Sequence, residues 1–109
     1  MKRYLVDSAA IHQNLETLKK RAGKARLFAV VKGNGYGLGL VPLAAICRDA
    51  GVDTFCVTEV SDAKQLRDAG FPQDILMIRP TCDVDEVHQL LDLSVILTVS
   101  SPDDAAVLN

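Results

Sequence analysis

Four short apolar runs recur along the chain at a nearly constant interval. They begin near Phe28, Thr54, Ile75 and Val95, with gaps of 26, 21 and 20 residues. Each is read as a strand: Leu27–Val31, Thr54–Val57, Ile75–Ile78 and Ser94–Val99. Between them lie segments with helical spacing of apolar residues, at Val41–Ala50 (stopped by Gly51), Ser61–Ala69 (stopped by Gly70) and Asp83–Leu91. A further helix precedes the first run. Asp7 or Ser8 caps it, Ala10, Ile11, Leu15 and Leu18 share one face, and Lys19, Lys20 and Arg21 fill the last turn before Gly23. Ser101-Pro102-Asp103-Asp104 opens a last helix with cap, N1 proline and first-turn acids in order. Strand and helix alternating at this interval predict a parallel sheet built from about four βα units. The run Leu27-Phe28-Ala29-Val30-Val31, apolar at every position, predicts a strand buried on both faces.

Length then limits the architecture. With 109 residues the chain holds one domain, and no linker or low-complexity stretch divides it. Four units are too few to close an eight-stranded βα barrel, which takes about 250 residues. An open doubly wound sheet is compatible with four strands, but the glycines after Val31 stand at 33, 35, 37 and 39 and do not form the G-x-G-x-x-G of dinucleotide folds. The net charge of -2, with no basic stripe, argues against nucleic acid or an anionic membrane as partner. No apolar run approaches the roughly 20 residues of a membrane span. Met1-Lys2-Arg3-Tyr4 leads into Asp7 and a polar helix, unlike a signal peptide. Three cysteines, an odd number at spacings that fit no zinc or redox template, read as free thiols: Cys47 and Cys56 lie in apolar segments and Cys82 in a polar one. Free thiols suit a reducing cytoplasm.

The segment with chemical content is Ala29-Val30-Val31-Lys32-Gly33-Asn34-Gly35-Tyr36-Gly37-Leu38-Gly39. It puts a lysine at the carboxyl end of an apolar strand, the edge on which parallel βα barrels carry their active sites. An apolar wall disfavours the ammonium form, and a neutral amine is what Schiff-base chemistry needs. The glycines permit positive φ and close approach of backbone to a ligand. Read from the residues alone, a lysine reaching to solvent ahead of a flexible loop is the competing interpretation.

The string V-V-K-x-N-x-Y-G-x-G strongly resembles the cofactor-lysine motif of the alanine racemase family. The resemblance runs along essentially the whole chain, through Val6-Asp7-Ser8-Ala9-Ala10-Ile11, Asn14-Leu15, Gly51-Val52-Asp53, Glu59-Val60-Ser61-Asp62-Ala63, Leu66-Arg67-Asp68-Ala69-Gly70 and Ile75-Leu76. It implies a TIM-type (β/α)8 barrel followed by a β-rich C-terminal domain, with residues 1–109 forming the first half of the barrel and none of the C-terminal domain. It implies an isomerase that uses pyridoxal 5'-phosphate to interconvert L- and D-alanine in D-alanine biosynthesis, in the cytoplasm and as a homodimer. Lys32 would carry the cofactor as a Schiff base and be one of two acid/base groups at the substrate Cα. Tyr36 would sit beside the cofactor near its phosphate. The other base in the family is a tyrosine from the partner subunit, so the chain alone is expected to be inactive.

Two departures from the family pattern stand out. Leu38 occupies the place of a usual histidine, and Gly33 and Gly35 replace common alanines. Arg79 stands where the family often has glycine; it reads as a solvated arginine, with reach to an anion at the mouth as the alternative. His12 and His88 read as surface histidines, and Asp83, Asp85 and Glu86 as the acidic first turn of a helix. No metal-ligand spacing is present. Rival readings are a pyridoxal-phosphate homeostasis protein or a decarboxylase of the same fold group, which place a lysine at the same strand end but lack the full Tyr36 loop. A non-catalytic half-barrel that folds or assembles without cofactor is the rival of a different class.

Overall fold

The computed structural model describes residues 7–108. The elements in chain order are α1 (Ser8–Ala22), β1 (Phe28–Val30), α2 (Lys32–Tyr36), α3 (Leu40–Asp49), β2 (Thr54–Val57), α4 (Val60–Asp68), β3 (Asp74–Met77), α5 (Val84–Asp92) and α6 (Pro102–Leu108). The short run Tyr4-Leu5-Val6, which the family resemblance would make a strand, lies outside the described residues.

The predicted helices form with boundaries moved by about one residue, and their ends follow local chemistry. Asp7, not Ser8, caps α1: its Oδ1 accepts from the Ala10 N–H at 3.1 Å. Asp83 caps α5 in the same way, accepting from Glu86 at 3.0 Å, so the acidic cluster there is a helix start. Gly51, at φ 92°, turns the chain out of α3; a Cβ there would meet Lys19 Nζ at 2.7 Å.

The strands are parallel in the order β1-β2-β3, with Phe28 opposite Thr54 and Thr54 opposite Asp74. The predicted fourth strand is reduced to one bridge, Leu76 to Ile96. The physical cause is local. Ile96 donates to Ile75 O and accepts from Met77 N, as a parallel neighbour should. At the next rung, however, the Thr98 hydroxyl donates to Met77 O at 2.6 Å, taking the acceptor that the ladder would use next.

Strand alternation sorts the side chains onto two faces. Ala29, Val31, Phe55, Val57, Ile75, Met77 and Val95 face the helices and pack with Leu40, Ala44, Cys47, Leu66 and Leu90. Fully burying a residue such as Leu66 or Leu90 stabilises by about 1.5–3 kcal/mol. Phe55 and Phe71 meet edge to face, with centroids 5.8 Å apart. The opposite, concave face carries Phe28, Val30, Cys56, Leu76 and Ile96. Among the described residues nothing covers its outer parts, and Phe28 is 46%, Val30 37% and Ile96 48% exposed. The expectation that the Leu27–Val31 run is buried on both faces is therefore corrected: β1 buries only its helix-facing side. β2, with a neighbour on each edge, is buried throughout.

Candidate active site

Lys32 leaves the sheet at the carboxyl edge of β1. The ladder persists to the preceding residue, since Val31 N–H donates to Cys56 O at 2.9 Å. The chain then enters a single turn of the opposite hand to a normal helix. Gly33, Asn34 and Gly35 have φ/ψ of 63/43°, 53/45° and 67/37°, and Tyr36 has φ 56°. A left-handed conformation costs an ordinary L-residue roughly 1–2 kcal/mol, and far less for glycine or asparagine. The order Gly-Asn-Gly-Tyr thus leaves Tyr36 as the costly position.

Bonds within the turn hold it. Gly35 N–H donates to Val31 O at 3.0 Å, Gly37 N–H to Gly33 O at 3.1 Å, and Gly39 N–H to Asn34 O at 2.9 Å. Asn34 Oδ1 accepts from the Leu40 N–H at 3.0 Å, tying the turn to the start of α3. Gly35 is buried against α3, where a Cβ would lie 3.3 Å from Leu43 Cβ. This bonded turn replaces the flexible loop of the competing sequence interpretation.

The Lys32 side chain is exposed, and it makes no ion pair or hydrogen bond among the described residues. Lys19, by contrast, donates to Ala50 O, and Lys64 pairs with Asp68 at 2.7 Å. The apolar wall expected to desolvate Lys32 is not closed around it, because Phe28 and Val30 face the open concave side. Tyr36 is exposed on the same edge of the sheet, as is Leu38.

Arg79, just beyond the carboxyl end of β3, is half-buried and bonded rather than simply solvated. Its Nε donates to Thr58 O at 3.0 Å and its Nη2 reaches Glu86 Oε1 at 3.2 Å, with Glu59 Oε2 at 4.0 Å. The side chain joins the ends of β2 and β3 to the first turn of α5. Sequence reasoning missed this strut, although an acid seven residues on, in a helix first turn, was a visible partner.

The remaining candidates lie away from this edge. His12 is on exposed α1, 3.9 Å from Glu16, and His88 is exposed on α5. Burial pushes the Cys47 and Cys56 thiols up, whereas Cys82 is exposed. A cavity of about 160 Å³ sits at the opposite, amino end of the strands, between Lys19, Arg26, Gly51 and Asp53. Arg26 donates there to Asp53 and to the Thr54 hydroxyl, and holds the Asp53 carboxyl below the usual aspartate range. That cavity does not adjoin Lys32.

The family model for "Alanine racemase, N-terminal domain" matches residues 6–109. The alanine racemase of Corynebacterium glutamicum is 38% identical over 103 residues, which are 94% of this chain and 28% of that protein. The alanine racemase of Nitrosospira multiformis is 33% identical over 95% of this chain and 29% of its own length. The chain thus spans under a third of the relatives it matches. Among solved structures, the alanine racemase from E. faecalis superposes with a TM-score of 0.88 at 33% identity, over 94% of this chain and 28% of that one. A histidine racemase from Leuconostoc mesenteroides subsp. sake superposes with a TM-score of 0.84 at 25% identity, over 93% of this chain and 27% of that one. The parallel βα repeat is accordingly part of a TIM-type barrel, and the chain belongs to the alanine racemase N-terminal domain family.

Proposed function

We propose that this chain supplies the cofactor lysine of a pyridoxal-phosphate-dependent alanine racemase, an isomerase interconverting L- and D-alanine. The observation that carries the reading is the exposed Lys32 amine, without an ion pair among the described residues, at the carboxyl edge of β1, followed by a hydrogen-bonded glycine turn, in a chain of this family. The residues fit a carbonyl cofactor. Lys32 offers a primary amine with no ion pair to break among the described residues, and Tyr36 offers a phenol on the same edge. Pyridoxal phosphate, when bound, supplies an electron sink for the charge that develops on the substrate Cα.

In this reading Lys32 holds the cofactor and then moves a proton at one face of the substrate Cα. The left-handed turn fixes where its backbone leaves the sheet. Tyr36 orients the cofactor from beside its phosphate. In this reading residues 1–109 belong to the barrel domain, and the second base and most phosphate contacts come from residues outside them. On this reading residues 1–109 by themselves should not racemise alanine, because general acid/base and electrostatic groups supplied from outside them each contribute about 10²-fold or more. A coupled assay should detect no D-alanine above that formed by free pyridoxal phosphate. Alanine as substrate, D-alanine biosynthesis, a homodimeric assembly and a cytoplasmic location belong to the same proposal. Because a solved histidine racemase shares this fold, assays with alanine and with histidine test the choice of amino acid.

The test is borohydride trapping with pyridoxal phosphate, followed by peptide mapping. Lys32 should take label ahead of Lys19, Lys20, Lys24 and Lys64. Even labelling of the lysines, or labelling unchanged in a folded Lys32→Ala variant, would overturn the reading. One observation favours a second reading, a non-catalytic assembly module: the exposed apolar concave face of β1 and Ile96. Under that reading a second copy covers the face and Lys32 takes no preferential label.

A further inference from the structure

Four threonines in or beside the sheet and its turns have their hydroxyls engaged or placed away from Lys32, and one does not. The Thr54 hydroxyl donates to Asp53 and accepts from Arg26. The Thr98 hydroxyl donates to Met77 O, that of Thr17 lies on α1 and bonds Gln13 O, and that of Thr81 accepts from Asp83 N–H. Thr58 is half-buried at the carboxyl end of β2, and its hydroxyl makes no hydrogen bond among the described residues.

The sheet brings the carboxyl ends of β1 and β2 together, and Lys32 and Thr58 follow those two ends. The last pair of β1 and β2 is Val30 opposite Cys56, closed by the bond from Val31 N–H to Cys56 O. Two residues beyond that pair stand Lys32, at the start of α2, and Thr58, just past the end of β2. Paired strands run about 4.8 Å apart, so the two strand ends open onto the same part of the carboxyl edge. The backbone of Thr58 is also fixed, because its carbonyl accepts from Arg79 Nε at 3.0 Å while Arg79 is held in turn by Glu86. A residue with an anchored backbone and a hydroxyl uncommitted among the described residues, on the strand end next to that of the candidate lysine, is placed to meet a ligand held there.

We propose that Thr58 is a second polar group of the Lys32 site. Its hydroxyl donates a hydrogen bond to an anionic oxygen of the carbonyl compound that Lys32 takes up. The inference rests on the cofactor reading given above, and its failure is separable from failure of that reading.

The experiment compares wild-type protein with Thr58→Val, which keeps the β-branched shape, and Thr58→Ser, which keeps the hydroxyl. Each is trapped with borohydride in the presence of pyridoxal phosphate or of pyridoxal, and the label at Lys32 is quantified against that at Lys64. A lost hydrogen bond to an anion should lower Lys32 labelling in T58V by about three- to tenfold or more, with T58S within about twofold of wild type. A deficit with both compounds assigns the contact to the ring oxygen beside the aldehyde; a deficit with pyridoxal phosphate only assigns it to the phosphate. Preferential Lys32 labelling that T58V leaves unchanged overturns the inference alone. Wild-type Lys32 labelled no better than Lys64 overturns the cofactor reading and this inference with it.

Discussion

Asn34 and Leu40 are joined across the glycine turn: the side-chain oxygen of Asn34 accepts the first free N–H of α3 at 3.0 Å. Asn34 is itself left-handed at φ 53°, a conformation that asparagine adopts more readily than most residues. One side chain therefore meets two demands, the hand of the turn and the cap of the following helix, for which Gly39 offers no side chain. Asn34→Ala should lose both and destabilise the fold by about 1–3 kcal/mol. Asn34→Asp keeps the acceptor and should lose less than half as much. Urea denaturation of the two variants checks this, and equal losses would show that the cap contributes nothing.

How much of this was legible in the sequence differs between levels. The βα order, the cap at Asp7, the acidic helix start at Asp83–Glu86 and the positive φ of the glycines after Lys32 follow from local residue chemistry, and the structure has them. The burial of β1 was not legible. A run of five apolar residues looks the same whether one face or two are covered, and only topology reveals that Phe28 and Val30 face the open side. The loss of the fourth strand turned on one hydroxyl, that of Thr98, competing with a backbone N–H for the same carbonyl. Strand propensity carries no trace of such a competition. Lys32 was identifiable as a candidate from its motif, whereas Thr58 needs the strand register to be seen at all.

Acid should weaken the amino end of the sheet. The hydrogen bond from Arg26, then that from Thr54, lowers the Asp53 pKa in the folded chain. A depressed carboxylate contributes stability above its unfolded pKa and loses it as pH falls through the folded value. The Asp53 contribution should therefore decline below about pH 4. Asp62 has the opposite sign: burial, then the Glu59 charge, raises its pKa, so it opposes folding as pH rises past its folded value. Comparing urea midpoints of wild type and Asp53→Asn between about pH 2.5 and 6 tests the first effect. The two curves should converge at the acid end, and because Asp53 is exposed the gap at higher pH should shrink with added salt.

The three thiols should separate by reactivity. Burial raises the pKa of Cys47 and of Cys56, and both are almost wholly covered, whereas Cys82 is exposed. The thiolate is the reactive form, so burial suppresses both access and ionisation. One equivalent of a disulfide reagent should react rapidly under native conditions, at Cys82, and three after denaturation. Rapid native reaction at Cys56 would mean that the sheet opens on its concave side.

Arg67 makes the largest prediction for stability. From the end of α4 its Nε donates to Leu93 O at 2.8 Å, its Nη1 to Phe71 O at 2.9 Å and Gln73 O at 2.8 Å, and its Nη2 to Ser94 O at 3.2 Å. The first three carbonyls lie in partly buried surroundings where water is a poor replacement. They come from the turn before β3 and from the turn that follows α5, where Ser94 has φ 56°. The guanidinium thus fixes where the chain enters β3 and where it returns toward the Ile96 bridge. Bonds from a charged donor contribute about 1.5–3 kcal/mol each, and these act as one unit, so the total falls short of their sum. Arg67→Met keeps much of the apolar stem and removes every donor. It should destabilise the fold by about 3–5 kcal/mol, enough to leave a marginal domain partly unfolded. Arg67→Lys, with a single ammonium, cannot span the two turns and should recover no more than about half of that loss. Hydrogen exchange gives the local readout. In Arg67→Lys, amide protection at Ile96 and Met77 should fall more than at Phe55, which lies in the central strand; an even decrease across the sheet would show that Arg67 stabilises the domain without holding the fourth strand in place.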